Sequence, residues 1–430
     1  MKVIRTILQF GGFLIAAQGL VLGLFAAALG QSTMPELLYS EIIFVQGIEL
    51  GAGGRAEALG GAYRALSDDL SGLYWNPAGL ASVRRIEFAL GLSQGWIEDK
   101  ARITSPPISN QLSRTRLNQV GLVFPVPTYR GSLVFALAYH QVHNFDSFGT
   151  FRDTNSDRFF QADELETGRL GLWSLGIAID VSQKVSTGLS LQLWTGFDDY
   201  SYASVADSVN DNWYRFEQAR NSDLSGFNLL GGLLVRPLPW LRLGATLESP
   251  LKLAIARDYS ERIDSSLAGQ YGYDTFSTSH EFHVSRSFRT ALGAAVLIKR
   301  FGISSDIVLN DWSQISYRDE PPLIGFTRDE ANREITRYLR PTLDFHLGLE
   351  YWLPFLDARL QAGYAYLSTP FENTMTLGNK QVFSGGFGIL LDPSLHLQTS
   401  ASLSQWDRSI GGWDENLKLT HLLVTLSYRF

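Results

Sequence analysis

From about residue 85 to the end of the chain, apolar and polar side chains alternate one by one. In the last segment Leu422, Val424, Leu426, Tyr428 and Phe430 share one parity, and His421, Thr425, Ser427 and Arg429 the other. Leu395, Leu397, Ala401 and Leu403 likewise oppose His396, Gln398, Ser400, Ser402 and Ser404. Leu343, Phe345, Leu347, Leu349 and Tyr351 oppose Asp344, His346, Gly348 and Glu350. A period of two belongs to a β-strand with one face in an apolar medium and the other in a polar one. The pattern predicts strands at 85–93, 116–125, 131–141, 169–180, 184–196, 224–235, 240–249, 285–298, 301–311, 342–353, 357–367, 379–391, 394–405 and 416–430. That is an even count, fourteen, which returns both ends of the sheet to one side. The predicted fold class is all-β, a membrane-spanning antiparallel up-and-down β-barrel.

The connections agree with a membrane barrel. Short turns at 126–130, 181–183, 237–239 and 354–356 alternate with polar excursions at 94–115, 142–168, 197–223, 250–284 and 312–341, followed by 368–378 and 406–415. Outer-membrane barrels keep their periplasmic turns short and their outer loops long. This predicts an integral outer-membrane protein with both termini of the mature chain in the periplasm. A soluble β-sandwich has no reason to alternate its connections in this way.

Composition narrows the picture. Aromatic residues make up 12% of the 430 positions and charged residues 18%, with 40 glycines and no cysteine. The absence of cysteine excludes a disulfide framework, thiolate metal sites and cysteine nucleophiles. At the amino terminus, Lys2 and Arg5 precede an apolar stretch from Ile7 to Leu29 that ends in small residues, Ala26 to Ala28 and Gly30. Residues 1–30 therefore read as a secretory signal peptide, cleaved near Gln31; an uncleaved helical anchor is the alternative. No later run is apolar and long enough for a spanning helix. The net charge of −7 argues against nucleic acid as a partner. Tyr428 and Phe430 place aromatic rings on one face at the chain's end, which resembles the terminal signature read by the barrel-assembly machinery of outer membranes.

Residues 31–84 lack sustained alternation and are rich in glycine and alanine. They include Gly51 to Gly61, the acidic pair Asp68 and Asp69, and Asn76-Pro77-Ala78-Gly79. Asn and Pro initiate a turn, and the glycines permit tight bends and close packing. Leu73, Tyr74, Trp75 and Leu80 need an apolar surface, and the inside of a wide barrel offers one. The segment is therefore expected to be a hatch, or plug, inside a barrel that runs from 85 to 430. Gly51-x-Gly53-x-x-Ala56 has the form of a dinucleotide fingerprint, but the βαβ unit that this motif requires is missing. Asp68 and Asp69 suit turn and cap positions better than metal or acid–base chemistry.

The hatch wording resembles that of the FadL/TodX family of outer-membrane channels for hydrophobic compounds, and Asp311-Trp312-Ser313-Gln314 resembles a tryptophan–serine motif of the same family. The resemblance implies passive uptake of hydrophobic molecules, such as long-chain fatty acids or hydrocarbons, by a monomeric non-enzymatic barrel. It further implies capture by outer loops, displacement of the hatch and a sideways exit through a kinked strand. The third strand, Gly131 to Gln141, has no interior glycine or proline to make that kink. Leu73 to Ala81 also resembles the PorV family of barrels, which would imply a secreted protein of type IX secretion as the partner.

Other chemistry is sparse. Tyr200, Tyr202, Trp213, Tyr214 and Phe216 are candidate capture residues in the third outer excursion. Asp153, Asn155, Asp157 and Glu164 occupy the first, third, fifth and twelfth places of a calcium-loop template, but Arg158 stands where its sharp turn wants glycine. No cofactor is expected beyond this candidate structural calcium. His140/His143 and His280/His283 are spaced to fall on opposite strand faces, and no zinc or nucleophile-elbow motif is present.

Overall fold

A computed structural model describes residues 48–49, 51–102, 108–155, 158–208, 212–267, 269–322, 326–372, 377–410 and 413–430. The expected signal segment, 1–30, and residues 31–47 of the expected hatch lie outside the described residues. The chain begins with β1 (Ile48–Glu49), α1 (Gly54–Ala58), α2 (Gly72–Trp75) and a 3-10 turn at Pro77–Ser82. There follow β2 (Glu87–Arg102), β3 (Ile108–Val126), β4 (Leu133–Asn144), β5 (Ser147–Asn155), β6 (Arg158–Ser182), β7 (Val185–Ser208), β8 (Asn212–Leu238), β9 (Leu241–Glu248), β10 (Leu251–Leu267), β11 (Gln270–Arg286), β12 (Arg289–Ile298) and β13 (Phe301–Asp311). After a 3-10 turn at Trp312–Gln314, β14 (Ser316–Tyr317) and α3 (Arg328–Tyr338) come β15 (Pro341–Leu353), β16 (Ala358–Leu367), β17 (Lys380–Leu390), β18 (Leu395–Ile410) and β19 (Trp413–Arg429).

The last strand closes on the first, from Arg429 opposite Glu87 to Asp414 opposite Arg102. Three wall strands are interrupted: β4 continues as β5, β9 as β10 and β11 as β12. With each counted once, the sheet is a closed antiparallel barrel of 14 strands. Closure leaves no sheet edge to the hydrocarbon, where an unpaired backbone group has no water to turn to. Burial is inverted relative to a soluble protein. On β6, Trp173, Leu175, Ile177 and Ile179 are exposed on the outside, while Ser174 and Ala178 are buried facing the lumen. On β19, Leu422, Val424, Leu426 and Tyr428 face outward and His421, Thr425 and Ser427 inward, as the alternation requires.

The excursions at 142–168, 197–223 and 250–284, expected as loops, are largely strand. The wall strand β8 has 27 residues, whereas about 9–11 tilted residues cross a bilayer. Backbone pairing continues beyond the membrane, where polar residues on both faces erase the hydropathy signal. Among the described residues no helix is long and apolar enough to cross a membrane.

Candidate functional site

The hatch fills the short-turn end of the lumen. Asn76 fixes its turn: its side-chain Oδ1 accepts from Ala78 N at 3.1 Å, and its Nδ2 donates to Arg64 O at 2.8 Å and to Leu233 O in the wall at 3.1 Å. Pro77 suits the first position of the 3-10 turn, where no N–H is needed. The acidic pair ties the hatch together. Asp68 accepts from Arg55 at 2.6 Å, and Asp69 accepts from Ser71 N, Ser71 Oγ and Tyr63 OH.

Three buried clusters bind the hatch to one arc of the wall. Arg55 makes a two-pronged contact with Glu350 at 2.9 and 3.1 Å. Asp306 receives Tyr63 N, Arg64 N and the Arg64 guanidinium at 2.9–3.1 Å. Glu57 lies 2.6–2.8 Å from Ser402, His421 and Ser400. The opposite arc meets the hatch mainly through apolar contacts, where Leu70, Leu73, Leu80, Ala81 and Val83 pack on Ala89, Val123, Val134, Ala136, Ala138 and Ala178. Burial pushes the Asp68 and Glu57 carboxyls up. Arg55, with Arg359 and Arg242, outweighs this at Asp68, and His421 with Ser402 and Ser400 outweighs it at Glu57, so both lie below the usual carboxylate range.

A set of glycines that the sequence reading passed over makes this fit possible. Inward positions of seven wall segments are Gly188, Gly232, Gly244, Gly293, Gly348, Gly363 and Gly386, and each has hatch atoms where a side chain would begin. A methyl at Gly244 would stand 2.5 Å from Arg64 O, and one at Gly188 2.6 Å from Ala78 N. Glycine recurring at the inward parity of strand after strand was the available signal.

Above the hatch the lumen holds an apolar cluster, the chamber, bordered by the buried Arg220–Asp198 and Arg286–Glu248 pairs. Val142, Phe145, Leu170, Leu172, Trp194, Leu224, Leu251, Leu253, Ile255, Phe282 and Val284 converge from the wall on Ile315, Tyr317, Ala331, Ile335 and Leu339 of the segment between β13 and β15. That segment folds back as a lid. The Trp312 indole donates to Thr342 Oγ1 at 2.8 Å, Asn332 bonds both Tyr317 N and Tyr317 O, and Tyr317 pairs with Val284. Thr327 and Glu330 form a reciprocal capping box that starts α3. The lid's apolar side chains thus fill the chamber.

The wall has a seam beside it. The strand β3 pairs with β2 up to Ile108 but with β4 only as far as Gln119 opposite His140. A bulge at Val142 and the interruption at Phe145–Asp146 turn the third strand away. The ladder is therefore broken just beyond Gly131–Gln141 by a bulge, where neither glycine nor proline stands. There β1 pairs with His143 and Asn144, and Arg116 reaches across to Asp146 at 2.5 and 2.6 Å. The bulge also sets His143 opposite Leu170, on the face where His140 stands opposite Leu172, so the expected opposition of these two histidines fails.

The candidate capture residues divide. Tyr200, Tyr202, Tyr214 and Phe216 share the face of the β7–β8 ladder that continues down to Leu224 in the chamber, with Tyr202 and Phe216 6.1 Å apart. Trp213 lies on the other face, 6.2 Å from Tyr271. Of the calcium candidates, Asp157 lies outside the described residues. Asp153 and Asn155 sit on β5, and Glu164 on its hairpin partner β6 opposite Gly149. Among the described residues no cluster of three or more His, Asp or Glu is placed to hold a metal. Tyr428 and Phe430 meet edge-on at 4.9 Å on the lipid-facing side.

A closed fourteen-strand antiparallel wall with an internal amino-terminal hatch defines a transmembrane-type β-barrel with a plugged lumen. Residues 28–104 match the model of an uncharacterised protein family, UPF0164. No curated protein sequence matches the chain. Among solved structures, the Pseudomonas putida toluene transporter TodX is similar at 14% identity and a TM-score of 0.61, over 89% of this chain and 99% of that one. A Pseudomonas aeruginosa FadL homologue is similar at 14% identity and 0.60, over 90% and 99%. The CymD monoaromatic hydrocarbon channel is similar at 16% identity and 0.56, over 89% and 98%.

Proposed function

We propose that this protein is a passive channel that admits hydrophobic molecules, such as hydrocarbons or long-chain fatty acids, across the outer membrane, with its short turns in the periplasm. One observation carries the reading: an apolar cluster, closed over by the lid, fills the barrel above the hatch, and the wall ladder ends beside it. A greasy molecule gains little from a water-filled pore and much from an apolar pocket. Capture falls to the aromatic inner face of the tall β7–β8 sheet. The lid then yields, and its apolar side chains give place to cargo. Movement of the hatch and of β1 opens the seam between β3 and β5 toward the bilayer, which spares the cargo the charged hatch seat. The structures similar in fold include proteins described as toluene transporters and a monoaromatic hydrocarbon channel, which supports this class of cargo.

The test is uptake by proteoliposomes. Radiolabelled toluene and oleate are expected to enter faster than into protein-free vesicles, while a sugar of similar size does not. Equal rates for all three with and without protein would sink the proposal. Copurification with secretion components in the absence of hydrophobic uptake would favour the PorV-like role.

A further inference from the structure

The lipid-facing wall carries a groove of ≈ 680 Å³ across β6, β7, β8, β9 and β12. Its sides are Ile177, Ile179, Leu189, Leu233 and Leu247, and it dips where Gly231 stands between Leu189 and Leu247 in the cross-strand row. A methyl at Gly231 would have only Leu247 O near it, at 3.7 Å, so the outer side here is open. The neighbouring Gly188 and Gly232 also line the groove, and on the lumen side the same two residues receive the Asn76–Ala78 turn of the hatch.

At the short-turn end of these strands the surface becomes basic. Arg130 in the β3–β4 turn, Lys184 in the β6–β7 turn and Arg84 in the link from the hatch to β2, which reaches Asp180 at 3.3 Å, are exposed. The nearby carboxylate, Asp180, is largely buried and held by Arg84 and Ser186. Tyr129 is fully exposed beside Arg130, and Val181 beside the β6–β7 turn. Exposed apolar side chains next to exposed cations mark the depth of a lipid headgroup layer.

We propose that this sector binds one anionic glycerophospholipid, with an acyl chain in the Gly231 groove and the phosphate among Lys184, Arg130 and Arg84. The groove is continuous with the lipid-facing belt, so its occupant comes from the bilayer. The cations stand at the short-turn end, and with the short turns in the periplasm, as proposed above, that end faces the phospholipid leaflet, so the headgroup is a glycerophosphate and not lipid A. The site is separate from the chamber and lid. Through Gly188 and Gly232 the bound chain lies one backbone layer away from the hatch turn.

The experiment is native mass spectrometry of protein extracted from outer membranes and of protein given phosphatidylglycerol, phosphatidylethanolamine or lipid A. Wild type is expected to retain one phosphatidylglycerol in preference to the other two. Gly231→Leu fills the groove from its open side and should abolish retention, and Ala245→Phe serves as a second filling variant should the first fold poorly. Barrel integrity is read from heat-modifiable electrophoretic migration. Each of Lys184→Gln, Arg130→Gln and Arg84→Gln should lower retention about fivefold. Unchanged retention in a folded groove-filling variant, or preferential retention of lipid A, would overturn the proposal. Loss of uptake with lipid retention intact would count only against the channel reading.

Discussion

Arg55 serves two anions at once, Asp68 within the hatch and Glu350 in the wall, and its side chain is nearly buried. Removing it leaves Glu350 without its principal cation, a change that costs about 3 kcal/mol when a buried ion pair is broken. Arg55→Gln should therefore loosen the hatch. The chain has no cysteine, so a single thiol at the buried Ser67 can report this, and its maleimide labelling should accelerate roughly a hundredfold. An unchanged rate would mean that the apolar arc holds the hatch alone. Asp68 and Glu57 also set a pH dependence. Their folded-state carboxyls lie below the usual range, so their contribution is complete above the unfolded value and is lost as pH falls through the folded one. Read with an acid-tolerant dipyridyl disulfide, the Ser67→Cys thiol should stay protected at neutral pH and become accessible only below the usual carboxylate range. Reactivity that rises at neutral pH would contradict this sign. The Asn76-Pro77-Ala78 turn was legible in the sequence because its chemistry is local. The partners of Asn76 were not, because Leu233 O lies 157 positions away.

At the scale of elements, the proposed route depends on the lid and the third strand. Val284 and Tyr317 are cross-strand neighbours of the wall and the lid. A Val284→Cys/Tyr317→Cys pair should form a disulfide that pins the lid, stops hydrophobic uptake when oxidised and restores it on reduction. Uptake that is indifferent to redox state would show that cargo does not pass beneath the lid. At the seam, Arg116→Gln removes the cation that faces the fully buried Asp146 carboxylate. The wall should then open more readily, and labelling of a cysteine at Leu112, which lines the cleft there, should rise. The strands themselves were legible where they cross the membrane, since one face must be apolar. Their extensions in β6, β7, β8, β10 and β11 were not, because water on both sides imposes no alternation. The bulge at Val142 was hidden too, since a bulge needs one extra residue and no particular residue type.

For the whole molecule, a lumen filled by hatch, chamber side chains and lid predicts a barrel that is closed to water-soluble solutes. Planar-bilayer conductance should be near baseline for the wild type. It should rise when the hatch is displaced by Gly244→Leu, whose side chain would collide with Arg64 O. A wild type with steady porin-like conductance would contradict the filled lumen.

The sequence by itself determined the class of fold, the number of wall strands, which face of each meets lipid, and that the segment around Asn76 must be buried inside. These follow from local periodicity and turn chemistry, which the bilayer enforces residue by residue. Tertiary structure alone decided where the hatch is seated, that the chain closes its own chamber with α3, that the wall parts beside β4, and that Gly231 lies in a groove. Each of these depends on residues brought together by barrel closure from positions far apart in the chain. A pattern of period two carries no record of which distant strand, hatch turn or lid side chain will stand opposite.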